Sequence, residues 1–368
     1  MKAKAAVLWE VGQPWSIEDV EVADPRPGDV LVKMSYAGLC HSDDHNITGD
    51  FPAQAPFVGG HEGAGEVVAV GAGVDRVKIG DAVMLLATPT CGVCRFCADG
   101  RGYLCDSNAH VLGGLRPDGS AAFHVHDRPI GAYAQLGTFA EYTVVSQTQV
   151  LPFERDIPAA SAAILSCAVV TGYGAAVRAG QIRPGQTVVV VGTGGVGMSA
   201  VQGAQIAGAA RVIAVDPVEF KRKQALEFGA THSAPSMEEA IGLVRDLTRG
   251  VMADAVVLTV GVLSGEMLAP AAELTAKGGK IVLAAVAPRE DDRPHLPLSP
   301  FLLSAKSLVG VVFGLTNPAS DINAMLDLYR AGVLRVDEMV TRHYALDDIT
   351  AGYADMHAGE NLRGVIAF

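Results

Sequence analysis

The sequence is poor in positive charge. It has 28 lysines and arginines against 40 aspartates and glutamates in 368 residues, a formal net charge of −12. This deficit argues against a nucleic-acid partner and against an anionic membrane surface, because both select basic patches. The chain also lacks a signal-peptide pattern, since acidic residues precede any long apolar run. We therefore expect a cytoplasmic protein with no nucleic-acid and no membrane partner.

The sequence also lacks an uninterrupted apolar run of membrane-spanning character. Pro184–Ala210 carries no charge and is long enough to cross a bilayer. Glycines recur along it, however, and Gln202 and Gln205 interrupt its second half. A buried strand, a glycine turn and a helix explain this pattern better than a membrane span. No internal repeat or low-complexity tract is present, and the length and composition predict a globular chain of about two domains.

Six cysteines are present, and without a secretion signal they are not expected to pair as disulfides. Four of them have the spacing C-x2-C-x2-C-x7-C: Cys91, Cys94, Cys97 and Cys105. Tight turns at this spacing bring four thiolates to one point, as a tetrahedral zinc requires. The alternative is a cluster of free thiols. A site with four protein ligands is closed, so we predict a structural zinc.

The two remaining cysteines, Cys40 and Cys167, lie far apart in the sequence. A catalytic zinc has three protein ligands and one open position, and two cysteines with one histidine form an established set. His61 is the best candidate histidine because its glycine-rich turn leads into a strand, and Glu62 follows it, suited to tuning the metal from behind. Taken singly, each ligand candidate is more typical of packing. Together, however, the two predicted zinc sites use every cysteine.

The predicted fold is α/β, with two domains of different texture. The first 150 residues alternate β-branched runs with turns, which predicts a mainly antiparallel, barrel-like domain with strands at Val30–Met34, Glu66–Val70, Ala82–Leu86 and Tyr142–Val145. A helix of small residues begins near Ala159. Apolar strands then alternate with helix-length segments, which predicts a doubly wound parallel sheet with strands at Thr187–Val191, Arg211–Val215, Ala255–Val260 and Lys280–Ala285. A helix (Asp321–Ala331) and a strand (Val365–Phe368) close the chain. The predicted division is 1–168 with 314–368, and 169–313.

A dinucleotide-binding fingerprint follows the first strand of the parallel sheet. It reads GTGGVG, and the residues expected to contact the cofactor are Gly192, Gly194, Gly195, Val196 and Gly197. The motif follows a strand, opens a helix and precedes Asp216 by about 20 residues, which is the full dinucleotide context. Asp216 would accept the ribose hydroxyls and repel a 2′-phosphate, so NAD is favoured over NADP. Lys221 is a second candidate for a ribose contact. Glycines in a generic α/β turn are the alternative.

At this point the sequence resembles the zinc-dependent medium-chain alcohol dehydrogenases along essentially its whole length. The motifs that carry the resemblance are GLCHSDDH (Gly38–His45), GGHEGAGEVVAVGAGV (Gly59–Val74), the four-cysteine segment, GTGGVG and the terminal LRGVIAF. The resemblance implies a Rossmann coenzyme domain and a GroES-like catalytic domain. It also implies two zincs per chain, and it implies hydride transfer between NAD and small primary alcohols or aldehydes.

The resemblance also implies roles for individual residues. Ser42 would take the alcohol proton, and His45 would pass it towards solvent through the cofactor ribose. Asp43 would brace His61, and Glu62 would lie behind the metal. His41 and Arg363 would be the pyrophosphate partners. Members of the family usually dimerise through edge strands, for which Leu308–Phe313 is the candidate here, and a homodimer and a homotetramer both remain open.

Several features distinguish branches of that family. The long histidine-containing loop Gly113–Gly137, together with the motifs GLCHSD and DPVEFKR, resembles the nicotinoprotein members, which keep NAD(H) bound and recycle it with an external acceptor. An aromatic residue at Phe51 argues against a thiol-adduct formaldehyde dehydrogenase. Ala87 lies where other members of the family often have a bulkier side chain, so the inner substrate pocket is expected to be wide. Tyr133 could partly fill the added space. The native alcohol is left open.

Two histidines and two other classes of protein complete the set of alternatives. His124 and His126 are expected to be strand or loop residues rather than metal ligands. One rival class is a zinc-ribbon binding module attached to a nucleotide-sensing domain, and the other is a structural protein with a vestigial site. The net negative charge and the second Cys/His set argue against the binding module. The joint presence of Cys40, Ser42, His61 and Cys167 argues against the structural protein.

Overall fold

The structure, a computed structural model, describes residues 1–50, 53–116, 118–288 and 293–368. The described chain divides into two compact units. The first comprises Met1–Cys167, Asn317–Asn323 and Val336–Phe368, and the second comprises Ala168–Thr316 and Ala324–Arg335. Residues 324–335, which the sequence-based division placed with the catalytic domain, group with the second unit.

A closed barrel forms part of the first unit. In the portion of the chain that the structure describes, its five strands follow the order Lys2–Leu8, Ser16–Val22, Phe123–Val125, Arg128–Ala132 and Phe57–Val58. Neighbouring strands run antiparallel, except for the parallel pairing of the last two. Small and branched side chains such as Ala5 and Val20 pack with Phe123 in an apolar cluster of this unit. Closure leaves the barrel without an open strand edge.

A larger sheet of the same unit carries the segments that matter for function. Its main path has the order Val150–Pro152, Ala82–Leu85, Gly63–Val70, Asp29–Gly38, Arg363–Ala367 and Val340–Tyr344, and Tyr142–Ser146 pairs with Asp29–Gly38 as well. In the antiparallel pairing of its two longest strands, Ala37 lies opposite Gly63. This register brings the residues after Gly38 and the residues before Gly63 to the same end of the sheet, so Cys40 and His61 become neighbours.

The helices of the first unit are short. The α-helices in the described residues are His41–Thr48, Arg95–Ala98, Ala159–Ile164 and Ile349–Ala358, and the α-helix Pro318–Arg330 divides between the two units. The apolar core of this unit gathers Trp15, Phe57 and Phe139 with Tyr353 of the C-terminal helix. The Trp15 ring packs edge-on against Phe139 at a centroid distance of 5.6 Å. Aromatic packing is thus part of the core of this unit.

The second unit is a parallel sheet with helices. As far as the structure describes it, the sheet has six strands in the order His232–Ala234, Arg211–Val215, Thr187–Val191, Ala253–Leu258, Thr275–Leu283 and Ser307–Gly310. Among the described residues its α-helices are Val170–Gly174, Gly195–Ile206, Glu219–Glu227, Met237–Thr248, Leu268–Leu274 and Leu298–Leu303. All five residues of Thr187–Val191 are buried. Such continuous apolar strands are typical of a sheet covered on both faces.

The predicted elements are confirmed, with two corrections. The segment Gly113–Gly137 is not simply a long loop, because Phe123–Val125 and Arg128–Ala132 form a hairpin within it. The helix His41–Thr48 was not predicted, since its polar sequence has no apolar periodicity. The predicted edge strand Leu308–Phe313 is observed as Ser307–Gly310, at one edge of the parallel sheet.

One helical segment, Ala159–Ala179, is long and apolar enough to cross a membrane by length and composition alone. Of its most apolar 18-residue window, 78% is buried within the protein, as expected for a core helix. The stretch Pro184–Ala210 instead forms the strand Thr187–Val191 and the helix Gly195–Ile206, as predicted.

Candidate active site

The four clustered cysteines form a compact lobe around the short helix Arg95–Ala98. The Sγ atoms of Cys91 and Cys97 are 4.0 Å apart, and those of Cys94 and Cys105 are 3.9 Å apart. Four sulphurs bound tetrahedrally at about 2.3 Å would be separated by about 3.8 Å. None of the four is in a disulfide. The donor set and its spacing therefore fit a zinc ion with four thiolate ligands.

Backbone N–H groups surround these sulphurs. The amide of Cys94 donates to Cys91 Sγ at 3.3 Å, and the amide of Cys97 donates to Cys94 Sγ at 3.5 Å. The backbone N–H groups of Asp106 and Cys97 lower the pKa of Cys94 to about 6. Hydrogen bonds to the thiolate favour the charged form that binds metal. The lobe thus stabilises its thiolates through the backbone.

A second cluster collects Cys40, His61, Glu62 and Cys167. One ligand atom from each lies within 4.8 Å of all the others. The Sγ of Cys167 is 3.4 Å from His61 Nε2. The sequence predicted three of these residues as zinc ligands and placed Glu62 beside them, and the structure brings all four together. Two thiols and one imidazole nitrogen match a catalytic zinc set.

Each member of this cluster is positioned by a different element. Cys40 precedes the helix His41–Thr48 and caps its N-terminus, and His61 lies just before the strand Gly63–Val70. Cys167 lies in a π-helical turn, Leu165–Val169. Such turns insert an extra residue into a helix and occur frequently at functional sites. The sequence predicted a helix here but gave no sign of its π-helical turn.

Buried charges surround the cluster. Asp43 is fully buried, and its Oδ2 lies 3.0 Å from His61 Nδ1, while its Oδ1 accepts a hydrogen bond from the Gly60 amide at 3.0 Å. A carboxylate on Nδ1 leaves His61 Nε2 directed at the two thiols. Burial by itself lowers the pKa of His61, but Asp43 and the two cysteine sulphurs raise it well above its usual value. The predicted contact between Asp43 and His61 is present.

The two thiols of this cluster form a coupled pair. The Cys167 thiol hydrogen-bonds to Cys40 and, with His61, holds the pKa of Cys40 well below its usual value although burial opposes this. The same contact and burial raise the pKa of Cys167 well above its usual value. A divalent cation is the charge that would allow both sulphurs to be thiolates together.

Glu62 lies between the candidate ligand atoms and a buried arginine. Its Oε2 accepts a hydrogen bond from Arg363 Nη2, which also donates to the Leu39 carbonyl at 2.9 Å. Burial raises the pKa of Glu62 to about 7, against the lowering effect of Arg363. Its second oxygen, Oε1, is buried and has no hydrogen-bond partner. An orphaned carboxylate oxygen beside two thiols and an imidazole is consistent with a cation at this point.

Ser42 and His45 lie on the helix that begins after Cys40. The Ser42 Oγ is 3.7 Å from Cys40 Sγ, and the Ser42 carbonyl accepts hydrogen bonds from Tyr133 Oη at 3.1 Å and Asn46 Nδ2 at 2.9 Å. The Tyr133 ring packs edge-on against His61 at 5.5 Å. The serine proposed for proton transfer is therefore held at its backbone by two side chains, of which Tyr133 also packs against the ligand cluster.

The glycine motif of the second unit forms a strand–turn–helix as predicted. Gly194 caps the helix that begins at Gly195, with Val196 in its first turn. A Cβ at Gly197 would lie 1.8 Å from the Gly192 carbonyl oxygen, so only glycine fits there. The helix N-terminus presents backbone N–H groups of the kind that bind a pyrophosphate. The turn thus has the features that a dinucleotide site requires.

Asp216 follows the adjacent strand and is buried. Its carboxylate accepts hydrogen bonds from the Thr193 amide at 2.8 Å and the Val218 amide at 2.9 Å, which tie it to the glycine turn. Arg222 donates to the Asp216 carbonyl at 2.7 Å. Lys221 is partly exposed on the following helix. Sequence reasoning missed Arg222, although its place in the first turns of that helix is a recognisable signal.

The remaining predicted residues lie as follows. His41 is partly buried, with its ring centroid 6.3 Å from those of both His45 and His357. His124 lies in a barrel strand and His126 in the turn after it, and neither belongs to a candidate metal group among the described residues. Phe51 lies outside the described residues.

Three residues near the helix His41–Thr48 were missed. Asp44 and His357 form a pair with a contact of 2.7 Å, and Asp50 contacts His45. Of these contacts, only the one made by Asp50 could have been predicted from the sequence. Asp50 directly follows Gly49, and glycine often ends a helix and turns the chain back over its last turn.

Comparison with known proteins identifies the family. Residues 26–155 match the description "Alcohol dehydrogenase GroES-like domain", and residues 195–331 match "Zinc-binding dehydrogenase". The chain is 47% identical to an NDMA-dependent alcohol dehydrogenase of Amycolatopsis methanolica, covering 100% of this chain and 99% of that one. It is 45% identical to alcohol dehydrogenase B of Mycobacterium tuberculosis, with coverage of 100% and 99%.

Comparison with solved structures supports the same family. The crystal structure of benzyl alcohol dehydrogenase from Acinetobacter calcoaceticus superimposes with a TM-score of 0.92 at 28% identity, covering 100% of this chain and 99% of that one. The predicted fold class, a Rossmann domain with a GroES-like domain, is confirmed, and so is the predicted enzyme class. The chain belongs to the zinc-dependent alcohol dehydrogenase family.

Proposed function

We propose that this chain interconverts primary alcohols and aldehydes by hydride transfer to or from NAD, with two zinc ions per chain. The observation that carries this proposal is the cluster of Cys40, His61 and Cys167, a three-ligand set at which a substrate oxygen can be the fourth ligand. Cys91, Cys94, Cys97 and Cys105 would hold the second zinc in a closed structural site. The first unit would be the catalytic domain, and the second would bind the coenzyme.

The residues of the first unit suit removal of a proton from an alcohol. Zinc, when bound, supplies a Lewis acid that favours an alkoxide, and NAD supplies the hydride acceptor. The Ser42 hydroxyl would accept the alcohol proton, and His45 would take it onward. Asp43 would orient His61, and the Glu62–Arg363 pair would balance charge behind the ligands. His41 and Arg363 remain candidates for pyrophosphate contacts.

NAD is proposed rather than NADP because Asp216 follows the second strand of the coenzyme unit. Its carboxylate would accept a ribose hydroxyl and repel a 2′-phosphate. Gly192, Gly194, Gly195, Val196 and Gly197 would line the pyrophosphate side of the same site. In NADP enzymes a nearby arginine can bind the 2′-phosphate. Here Arg222 donates hydrogen bonds to the backbone carbonyls of Asp216 and Pro217. Lys221 remains a candidate ribose contact.

A second candidate function is that of a nicotinoprotein, which keeps NAD(H) bound and reoxidises it with an external acceptor. The 47% identity with a relative named NDMA-dependent alcohol dehydrogenase supports it. The two candidates share every residue assigned above and differ in whether the coenzyme leaves in each cycle. Turnover without added NAD separates them.

The substrate pocket and the assembly can be proposed in outline. The benzyl alcohol specificity stated for the structural neighbour favours an aromatic or medium-chain primary alcohol. Ala87 would widen the inner pocket and Tyr133 would border it. The edge strand Ser307–Gly310 and the following Val312, which is 54% exposed, would pair with a second copy in a homodimer or homotetramer. A cytoplasmic location without nucleic-acid or membrane partners stays a prediction.

The test is an oxidation assay of the purified protein with benzyl alcohol, run with no addition, with NAD, with NADP and with NDMA alone. Dependence on added NAD supports the first candidate, and turnover with NDMA alone supports the nicotinoprotein. Ser42→Ala is the matched variant, expected to keep both zincs and lose most turnover. Turnover of Ser42→Ala near that of the wild type would remove Ser42 from proton transfer. No oxidation of benzyl alcohol or of a medium-chain primary alcohol under any of these conditions would contradict both candidates.

A further inference from the structure

We propose that Asp50 is a positioning residue that fixes the neutral His45 ring in the tautomer with its proton on Nδ1, which leaves Nε2 to accept the proton released through Ser42. The inference rests on the proposed function, in which Ser42 and His45 carry the alcohol proton. In this step the O–H bond of the hydroxyl group that donates to His45 breaks and an Nε2–H bond forms, while the Nδ1–H bond is kept. The resulting imidazolium then gives a proton to water and returns to the neutral ring.

The contact that carries this inference joins His45 Nδ1 to Asp50 Oδ2 at 3.3 Å. The His45 side chain is 3% exposed, whereas that of Asp50 is 27% exposed and reaches solvent. Thr48 Oγ1 donates to the same Asp50 oxygen at 2.5 Å and holds the carboxyl group in place. A buried imidazole is thus connected to a solvated carboxyl group through one nitrogen only.

The end of the helix creates this contact. His41–Thr48 stops at Gly49, whose φ of 82° lies in the left-handed region and whose amide donates to the His45 carbonyl at 3.0 Å. A glycine in this conformation reverses the chain direction, as at many helix C-termini. The next residue, Asp50, therefore folds back over the last turn and meets His45.

The charge state of Asp50 then decides the tautomer. The Thr48 hydroxyl, and to a lesser extent His45, hold the pKa of Asp50 below its usual value. An ionised carboxylate has no proton to donate and can only accept hydrogen bonds. His45 Nδ1 must therefore be the donor, and the neutral ring keeps its lone pair on Nε2. When the ring is protonated, the Asp50 carboxylate also stabilises its positive charge.

Asp44 offers a matched control on the same helix. It is buried like His45, but its carboxylate contacts His357 Nε2 at 2.7 Å. Asp44→Asn and Asp50→Asn thus remove the same charge from the same short segment. Only the second changes the group that faces His45 Nδ1, from an obligate acceptor to one that can also donate.

The experiment is long-range ¹H–¹⁵N NMR of the zinc-loaded full chain labelled at histidine nitrogens, recorded at mildly alkaline pH where neutral rings predominate. The His45 signals are assigned by their loss in His45→Gln. We expect the wild type and Asp44→Asn to show His45 protonated at Nδ1. Asp50→Asn is expected to lose this preference, because an asparagine side chain can donate as well as accept. Unfolding midpoints confirm that each variant is folded.

Turnover gives the second readout. Asp50→Asn is expected to lower kcat roughly tenfold, a part of the two to four decades typical of acid–base catalysis, with KM for the alcohol unchanged. In a His45→Gln background the same substitution is expected to have no further effect. A wild-type tautomer in Asp50→Asn, an equal tautomer shift in Asp44→Asn, or a full tenfold loss in the His45→Gln background would each overturn the proposal.

The two proposals fail separately. Wild-type turnover in His45→Gln would contradict the proton transfer of the proposed function, and the positioning role of Asp50 would fall with it as a catalytic device. A normal tautomer in Asp50→Asn, with His45→Gln inactive, would contradict the role of Asp50 alone and leave the proposed function intact.

Discussion

The two cysteine clusters of the first unit are built in opposite ways. Cys91, Cys94, Cys97 and Cys105 come from one short segment, and backbone amides donate to their sulphurs. Cys40, His61 and Cys167 come from three distant segments and are surrounded by the charged groups of Asp43, Glu62 and Arg363. In the first cluster the local chain makes the site, and in the second the tertiary fold makes it.

This difference corresponds to the distinction between a structural and a catalytic metal site. Four thiolates satisfy a tetrahedral ion, so the lobe has no coordination position left for a substrate. Three ligands with a carboxylate beside them leave a position whose occupancy the surrounding charges can tune. Buried charges are costly to assemble unless paired. Their concentration around the distant cluster supports the proposal that it is the catalytic one.

The largest expected effect comes from breaking the distant cluster. Cys40→Ser should lower kcat at least about a thousandfold, because the three-ligand set and its charge balance are lost. The metal content should fall by one ion per chain while the lobe keeps its own. Steady-state kinetics with elemental analysis measures both. Loss of both metals from a folded Cys40→Ser protein would show that the two sites are not independent.

A tenfold to hundredfold effect is expected from the carboxylate that orients His61. Asp43→Asn keeps the shape but loses the charge that faces His61 Nδ1, and such changes typically cost 10–100-fold in metal affinity or activity. Zinc competition with a chromophoric chelator measures the affinity. Asp44→Asn, one residue away, is the control and should bind zinc like the wild type. If Asp43→Asn bound zinc as tightly as Asp44→Asn, the contact of Asp43 with His61 would have no role in zinc binding.

A smaller effect is expected at the hydroxyl of Tyr133. Tyr133→Phe removes one hydrogen bond to the Ser42 carbonyl and keeps the ring packed on His61. A net hydrogen bond is worth about 1 kcal/mol, which corresponds to roughly a fivefold drop in kcat. Zinc content should not change. A thousandfold loss would instead place this hydroxyl in the chemistry itself.

The smallest effect on turnover is expected in the lobe. Cys94→Ser should release the lobe metal and lower the unfolding midpoint by roughly 5 °C or more, because metal binding contributes to folding stability. The kcat per folded molecule should stay within about twofold of the wild type, the range of a change remote from the site. Thermal unfolding and kinetics below the transition measure both. A large kcat loss in folded Cys94→Ser protein would contradict the separation of roles.

The same contrast explains what could be predicted from the sequence. The lobe and the glycine turn are contiguous motifs, so spacing alone predicted the gathering of the four sulphurs and the strand–turn–helix at Gly192–Gly197. Cys40, His61 and Cys167 were joined only by counting cysteines and by family resemblance. Their actual meeting depends on the register that places Ala37 opposite Gly63 and on the π-helical turn at Cys167.

Two contacts between residues far apart in the sequence were not predicted. The pairing of Asp44 with His357 spans 313 positions, and the pairing of Glu62 with Arg363 spans 301. Local sequence carries no signal for such separations, since they are set by strand order and helix packing. The contact of Asp50 with His45 differs, because a helix-ending glycine between them makes it local.

The central claim is that one chain holds two zinc ions in two separable sites, and native mass spectrometry of the wild type, Cys40→Ser and Cys94→Ser tests it most directly. The account predicts two zincs per chain in the wild type and one in each variant. The same spectra report any retained dinucleotide and the number of subunits. A wild type with a single zinc, or a Cys40→Ser protein that still holds two, would contradict the claim.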